Sequence, residues 1–394
     1  MYVTRPLSIY TKSPDAALEP PPEGPNSGYL TFMDEESEAE RACCWGTCKS
    51  DRLKSLPFPH NKILTVEYIQ HPECQMVRIV SNKALFIPVL DQPLSSNRYY
   101  VINANAKFKG KAHTCSREVD GSTCCFCTHI IDKNPQDFDH RDVYQQVEIR
   151  CCRSGGYIAK SVAPDGFPPF FLRRKGWKIY TRTPVHRQLG EAHGANTALR
   201  VRLPEFDFPL SSKRSASIVV GKWYCPFMFI KEVYSLKFQM ERSMFYEMRL
   251  ERLWEEIHTC ENDGNEGNTV VVSATIRSES AKIFGVETVQ EDAGVVDGMM
   301  WLREPLTSME ERMSVGLNMA IVDRMKWEAC KGGWIDGKER DVKVEKVEEF
   351  GGRREWRKFG CYVLVERFAL KRMDGSSVLD YDFRHTHVVQ SKWE

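Results

Sequence analysis

No stretch of this 394-residue sequence approaches the ~20 consecutive apolar residues that a membrane-spanning helix requires. The best apolar runs, Ala84 to Leu90 and Val270 to Ile276, are far shorter. The opening Met1-Tyr2-Val3-Thr4-Arg5-Pro6 has no apolar signal core, Tyr2 excludes N-myristoylation, and Ser391-Lys392-Trp393-Glu394 is no prenylation box. Asn-x-Ser/Thr acceptors are missing throughout. The expectation is therefore a cytoplasmic or nuclear protein without a transmembrane segment. Thiols stay reduced in those compartments, which makes a disulfide framework the least expected use of its 14 cysteines. Excess charge is also lacking. A formal net charge of +1 excludes a global field that would draw the whole molecule onto nucleic acid or membrane, so any basic site must be local. Common catalytic signatures are absent as well: no Gly-x-Ser-x-Gly elbow, no P-loop, no Gly-x-Gly-x-x-Gly and no His-Glu-x-x-His.

What is present suits about two globular domains, with 42% hydrophobic and 28% charged residues. Residues 13 to 41 are rich in Pro, Gly, Ser and acids, and residues 1–41 read as a flexible N-terminal arm in which Tyr29 to Met33 can dock as one strand. From Ile63 the pattern alternates with period 2, through Leu64-x-Val66-x-Tyr68, Ala84 to Leu90, Tyr99 to Ile102 and Val147-x-Ile149. Residues 42–203 are expected to form a β-rich, cysteine-containing domain. The Pro- and Ser-rich segment 204–217 marks a boundary, and 218–394 follows as a second domain.

In that second half, Leu236, Met240, Met244 and Met248 recur at i+4, and Leu250, Leu253, Trp254 and Ile257 continue the stripe. This predicts a long helix over 232–258 whose methionines line a core. Ser314 to Cys330 is a second helix candidate, ended by Gly332-Gly333. Short strands are expected at 270–276, 283–289, 299–302 and 342–347. A hairpin is expected with arms at 361–372 and 377–389 and an Asp374-Gly375 turn. The predicted fold class is α+β: a β-rich N-terminal domain, then an α+β domain with two main helices and a C-terminal β-hairpin.

Three constellations stand out. Six cysteines fall between Cys115 and Cys152, and a second knot lies at Cys43-Cys44-Trp45-Gly46-Thr47-Cys48. Cys44-x3-Cys48 and Cys124-x2-Cys127 have zinc-ligand spacing, so Cys44, Cys48, Cys124 and Cys127 are the candidate metal ligands and zinc is the one candidate cofactor. Burial in strands, lipid attachment and redox sensitivity are the alternatives. Second, Asp380, Asp382, His385 and His387 resemble an acid/base cluster, but period-2 geometry puts the acids and histidines on opposite faces. A solvent-facing row on an edge strand is the expectation. Third, between Asp165 and Glu191 no acidic residue occurs, while Arg173, Arg174, Lys175, Lys178, Arg182 and Arg187 interleave with Phe167, Phe170, Phe171, Trp177 and Tyr180. Arg173, Arg174, Lys175 and Lys178 are the candidate anion-binding residues. The competing reading pairs them with acids from elsewhere in the fold.

Several long motifs carry a resemblance. Met1 to Ser8, Gly24-Pro25-Asn26-Ser27-Gly28-Tyr29-Leu30, Phe86 to Leu90, Pro93 to Tyr100, Cys124-Cys125-Phe126-Cys127, Ala163 to Gly166, Leu172 to Trp177 and the tail from Phe350 to Trp393 are similar to a plant family known as domain of unknown function 1262. The resemblance implies a plant source and supplies no activity. Some members carry an insecticidal-crystal-toxin label, but no signal peptide or amphipathic membrane-inserting hairpin supports a pore former here. The function expected is non-catalytic binding of an anionic ligand or a protein partner, with an association with stress or defence. The alternative is an enzyme with a spatially assembled Cys/His site.

Overall fold

The computed structural model describes residues 1–39, 42–43, 48–70, 78–124, 127–182, 189–262, 267–290, 295–305, 313–337, 340–352 and 355–394. The described residues are mostly β, arranged in several sheets and ribbons, and the longest helix has 13 residues. The expected α+β class with two main helices is therefore corrected to a mostly-β architecture of several sheets with short helices. Packing divides the chain into two units, Met1–Ala192 with Tyr224–Phe245, and His193–Trp223 with Tyr246–Glu394. Residues 1–41 belong to the first, and the segment 204–217 to the second.

In the first unit, seven antiparallel strands run in the order Tyr157–Ser161, Gln146–Cys151, Arg98–Asn103, Arg78–Pro88, Leu64–Gln70, Lys178–Tyr180, Arg52–Leu53. One face carries the alternating residues read from the sequence: Leu64, Val66 and Tyr68, with Ala84, Phe86, Tyr99 and Val101 beside them. Phe58 lies at the centre, its ring 5.4 Å from Phe86, 5.8 Å from Tyr99 and 5.1 Å from Tyr157. Tyr2–Pro6 pairs in parallel with Gly28–Phe32, with Tyr2 and Leu30 fully buried. The Gly24-to-Leu30 motif has a local cause here. A Cβ on Gly28 would stand 2.8 Å from the Tyr2 ring, and Asp91 accepts from the Ser27 N–H at 2.9 Å.

His60 is fully buried in this unit, and its Nδ1 accepts from the Thr31 N–H at 2.7 Å. Burial pulls its pKa from 6.5 down to about 3. A histidine that stays neutral when folded contributes its full stability above pH 6.5 and loses it as pH falls towards about 3, because the unfolded chain takes up the proton first. Urea unfolding at neutral pH and near pH 4.5 is expected to show a loss from this ring on the order of 2 kcal/mol. The His60→Gln variant should lack that share of the pH dependence; an identical decline in the variant would count against it.

The second unit is built on long strands. Phe245–Glu261 pairs antiparallel with Lys358–Arg372, which pairs with Ser377–Trp393, followed by Glu279–Ile283 and Val286–Glu287. The C-terminal hairpin lies where its Asp374-Gly375 turn predicts, with Gly375 at φ +84. The helix expected at 232–258 is instead a seven-residue helix, Leu236–Arg242, and the 17-residue strand Phe245–Glu261. The stripe misleads because residues four apart share a face under period 2 as well as under period 3.6. Buried Tyr246, Met248 and Leu250 alternate with partly exposed Glu247, Arg249 and Glu251, which is strand periodicity. The second expected helix begins later, at Met319–Lys331. Asn318 caps it by accepting from the Ala320 N–H at 3.0 Å, and Ser314–Asn318 is a strand paired with Met299–Arg303.

One face of the long hairpin packs against the ribbon Thr269–Arg277/Asp341–Glu349 through Leu253, Val363 and Val365 with Ile276 and Val344. Its other face meets the segment 204–217: Phe206, Phe208 and Leu210 surround Trp254, Tyr362 and Leu364. The Pro204 carbonyl accepts from the Trp254 indole N–H at 3.0 Å.

Leu379–Phe383 of the strand Ser377–Trp393 is flanked on both sides, so the expectation of a solvent-facing edge row is corrected for Asp380, Asp382 and the buried His385, while His387 is exposed. Asp382 and His385 are each 1% exposed. Asp382 accepts a bidentate pair from Arg367 at 2.7 and 2.9 Å, and the His385 ring lies 3.4 Å from Glu366. The ladder slips between Val363 and Leu364, which pair with Val389 and His385, so the bulge falls within this segment.

Candidate anion-binding cleft

The acid-free stretch after Asp165 folds into a short helix, Phe170–Arg173, a turn, and the strand Lys178–Tyr180. Trp177, fully buried, pins this turn: its indole N–H donates to the Leu172 carbonyl at 2.8 Å. Gly176, at φ +86, lets the chain reverse, and its N–H donates to the Tyr157 carbonyl at 2.8 Å. The Gly155-Gly156 turn matches it closely, since a Cβ on Gly156 would stand 2.6 Å from the Gly176 carbonyl oxygen. The cations between Leu172 and Ile179 are thus carried on a backbone fixed from both sides.

The four expected anion-binding residues separate into two groups. Arg173 is held by Asp132 at 3.2 Å and by the Ile130 carbonyl at 3.2 Å, while Asp132 also accepts from the Phe170 N–H at 2.7 Å. Arg174, Lys175 and Lys178 come together on a cleft of about 550 Å³ that Tyr68, Ile69, Ile79 and Tyr180 also line. Arg174 stacks over Phe170 at 4.5 Å and over Tyr68 at 5.4 Å, which leaves its charge in place while orienting the guanidinium plane. Among the described residues none of these three cations is in an ion pair. The cleft's carboxylate, Glu67, is taken by Arg182, which also bonds Asp51 at 3.0 Å. Arg187 lies outside the described residues.

The expected zinc ligands are placed only in part. The backbone pairs Cys43 with Cys48 and Cys124 with Cys127 in two separate two-stranded ribbons. Cys44 lies outside the described residues, as do the side chains of Cys48, Cys124 and Cys127. Among the described residues no group of three or more His, Cys, Asp or Glu is placed to hold a metal ion. Burial pushes the Cys115 thiol up to about 11 and the Cys225 thiol up to about 12, which suppresses the thiolate a nucleophile needs.

A second charged constellation, in the other unit, escaped the sequence reading. Glu366, fully buried, accepts from Arg200 Nε at 2.8 Å and Nη2 at 2.5 Å, with Arg252 Nε at 3.5 Å and His385 Nε2 at 3.4 Å. Arg200 also donates to the Glu328 carbonyl at 2.6 Å, and Glu328 Oε1 receives Arg324 at 2.7 Å. The available signal was a carboxylate inside the apolar run Cys361 to Leu370, together with Arg324 and Glu328 on the apolar track of their helix. Every carboxylate oxygen of the pair Glu366 and Glu328 meets a cation, so this cluster is a buried structural clamp.

Residues 23–126 match the family model described as Protein of unknown function (DUF1262). That span includes the strands carrying Tyr68, Ile69 and Ile79, whereas the cations at 174–178 lie beyond it. No curated protein matches the chain. Among solved structures, the crystal structure of Cry35Ab1 is similar at 10% sequence identity and a TM-score of 0.47, over 85% of this chain and 90% of that one.

Proposed function

We propose that this protein acts by binding rather than by catalysis, and that its ligand is anionic and sits against Arg174, Lys175 and Lys178. One observation carries the reading: three cations without an ion-pair partner among the described residues converge on one cleft, on a turn fixed by Trp177 and Gly176. The energetic reason is that an unpaired cation on a preformed surface gives its full attraction to an incoming anion, whereas Arg173 and Arg182 would first have to release their acids. The arrangement of aromatic faces beside Arg and Lys favours phosphate-like groups over simple halides. Full-length relationship to the plant DUF1262 family, a cytoplasmic or nuclear location and an association with stress or defence belong to the same proposal, supported by the motifs quoted above and by the match over 23–126.

Calorimetric titration with tripolyphosphate at low salt tests the reading. Wild-type protein should bind, and the Arg174→Ser/Lys175→Ser/Lys178→Ser variant should bind at least about thirtyfold more weakly. Raising ionic strength to about 0.1 M should weaken wild-type binding, since exposed charges are then screened beyond ~10 Å. Equal binding by both proteins would overturn the assignment.

A further inference from the structure

The cleft's apolar rim raises a second question, because a small soluble anion has no use for it. Ile69 and Ile79 are direct partners in the antiparallel register, so their side chains stand side by side on one face of the sheet. They are 48% and 64% exposed. The neighbouring pair Lys178↔Glu67 puts Lys178 on that same face, because residues 67 and 69 are two apart, and Tyr180 follows it by the same period. Tyr68, one residue away, points to the opposite face and belongs to the core. The outward surface therefore presents two branched aliphatics next to Lys178 and Tyr180, with Lys175 lining the same cleft, while Arg174 stacks over Tyr68 and Phe170 on the cleft's other side.

From this juxtaposition we infer that the cleft docks onto an anionic lipid surface, with Ile69 and Ile79 entering the headgroup–acyl boundary and Lys175 and Lys178 meeting the lipid phosphates. The inference rests on the anion-binding reading above and names the ligand of that site. Charge complementarity commits it to this occupant. A membrane with acidic headgroups offers negative charge and an apolar layer a few ångströms beneath it, and this surface offers cations around an apolar pair. The cytoplasmic leaflet is the anionic one, which agrees with the location proposed above. Two aliphatics and two lysines make a reversible attachment, far from the commitment of a spanning segment.

Vesicle co-sedimentation of the full chain tests it. Wild-type protein should pellet with phosphatidylcholine vesicles containing about 30% phosphatidylserine and stay in solution with phosphatidylcholine alone, since attraction per cation needs the acidic surface. Lys175→Glu/Lys178→Glu should weaken vesicle binding about tenfold or more, each cation contributing roughly a fivefold factor near such a surface. Ile69→Ser/Ile79→Ser should weaken vesicle binding by a similar factor, a loss several times larger than any it causes in tripolyphosphate binding, which needs the cations and no apolar layer. If tripolyphosphate binds and vesicles do not, the lipid assignment falls and the anion reading stands. Vesicle binding that ignores the isoleucine change would also overturn the lipid assignment. If neither probe binds, both readings fall together.

Discussion

Replacing Glu366 with alanine is expected to destabilise the second unit by about 3–5 kcal/mol, the usual effect of removing one member of a buried ion pair. The carboxylate is fully buried and is the acceptor for both Nε and Nη2 of Arg200, with Arg252 at 3.5 Å. Its loss leaves two guanidinium groups in an interior that cannot solvate them. The effect exceeds that of a surface pair, worth about 0–1 kcal/mol, because none of these groups can turn to water. Burial alone would push the Glu366 pKa up, but His385 and Arg200 outweigh it and pull the group from 4.5 to about 2. Stability from this carboxylate is therefore complete above about pH 4.5 and is lost as pH falls through about 2. Chemical denaturation of the Glu366→Ala and Glu366→Gln variants at neutral pH measures the effect. A change below about 1 kcal/mol for the alanine variant would mean that the clamp carries little of the fold.

Gly332→Ala is expected to cost about 2–4 kcal/mol, although the residue is at an exposed helix end in sequence terms. Gly332 closes the helix Met319–Lys331 with φ −79, so its backbone would accept alanine without strain. The obstacle is space. A Cβ there would lie 2.2 Å from Arg200 Nη2, 2.7 Å from Arg200 Cζ and 2.7 Å from Glu366 Oε2. An exposed arginine would swing aside, but this one is locked by Glu366 and the Glu328 carbonyl. Gly333 provides the control, since it has φ +95 and nothing within 4 Å of its would-be Cβ. Gly333→Ala should cost about 1 kcal/mol, from backbone conformation alone. A smaller loss at Gly332 than at Gly333 would show that the clamp yields to an added methyl.

The strands of the first unit and the C-terminal hairpin were legible in sequence because alternation and an Asp-Gly turn act locally. Leu64, Val66 and Tyr68 needed no partner to declare a face, and Asp374-Gly375 needed only its own φ values. The strand Phe245–Glu261 reads as helix in sequence because Met240, Met244 and Met248 recur at a spacing of four, which satisfies both periods. Only its pairing with Lys358–Arg372 along its whole length decides the matter, and pairing is not a local property. The burial of Asp382 and His385 is hidden from sequence for the same reason: it depends on Glu279–Ile283 flanking the one and on Glu366 beside the other, both far away in the chain.

For the candidate site, the absence of acids between Asp165 and Glu191 located the cations, and composition could go no further. Which cations are already paired depends on Asp132 for Arg173, and on Asp51 and Glu67 for Arg182, all supplied from other elements. The aliphatic neighbours Ile69 and Ile79 looked like ordinary strand residues, since exposure is set by the sheet's outer face and not by residue type. Glu366 could have been suspected from its apolar context, but Arg200 as its partner could not.

The most direct test of the account is a thermal melt of wild-type protein and of the Arg174→Ser/Lys175→Ser/Lys178→Ser variant, each with and without tripolyphosphate at low salt. Ligand that binds only the folded state raises the melting temperature in proportion to the logarithm of its concentration over Kd. The expected results are a ligand-induced rise in the wild type alone and, without ligand, a variant less stable by no more than about 1 kcal/mol, the share of Arg174 stacking on Phe170 and Tyr68. A variant that melts earlier on its own, beside a wild type that tripolyphosphate leaves unmoved, would make these residues structural and contradict the assignment.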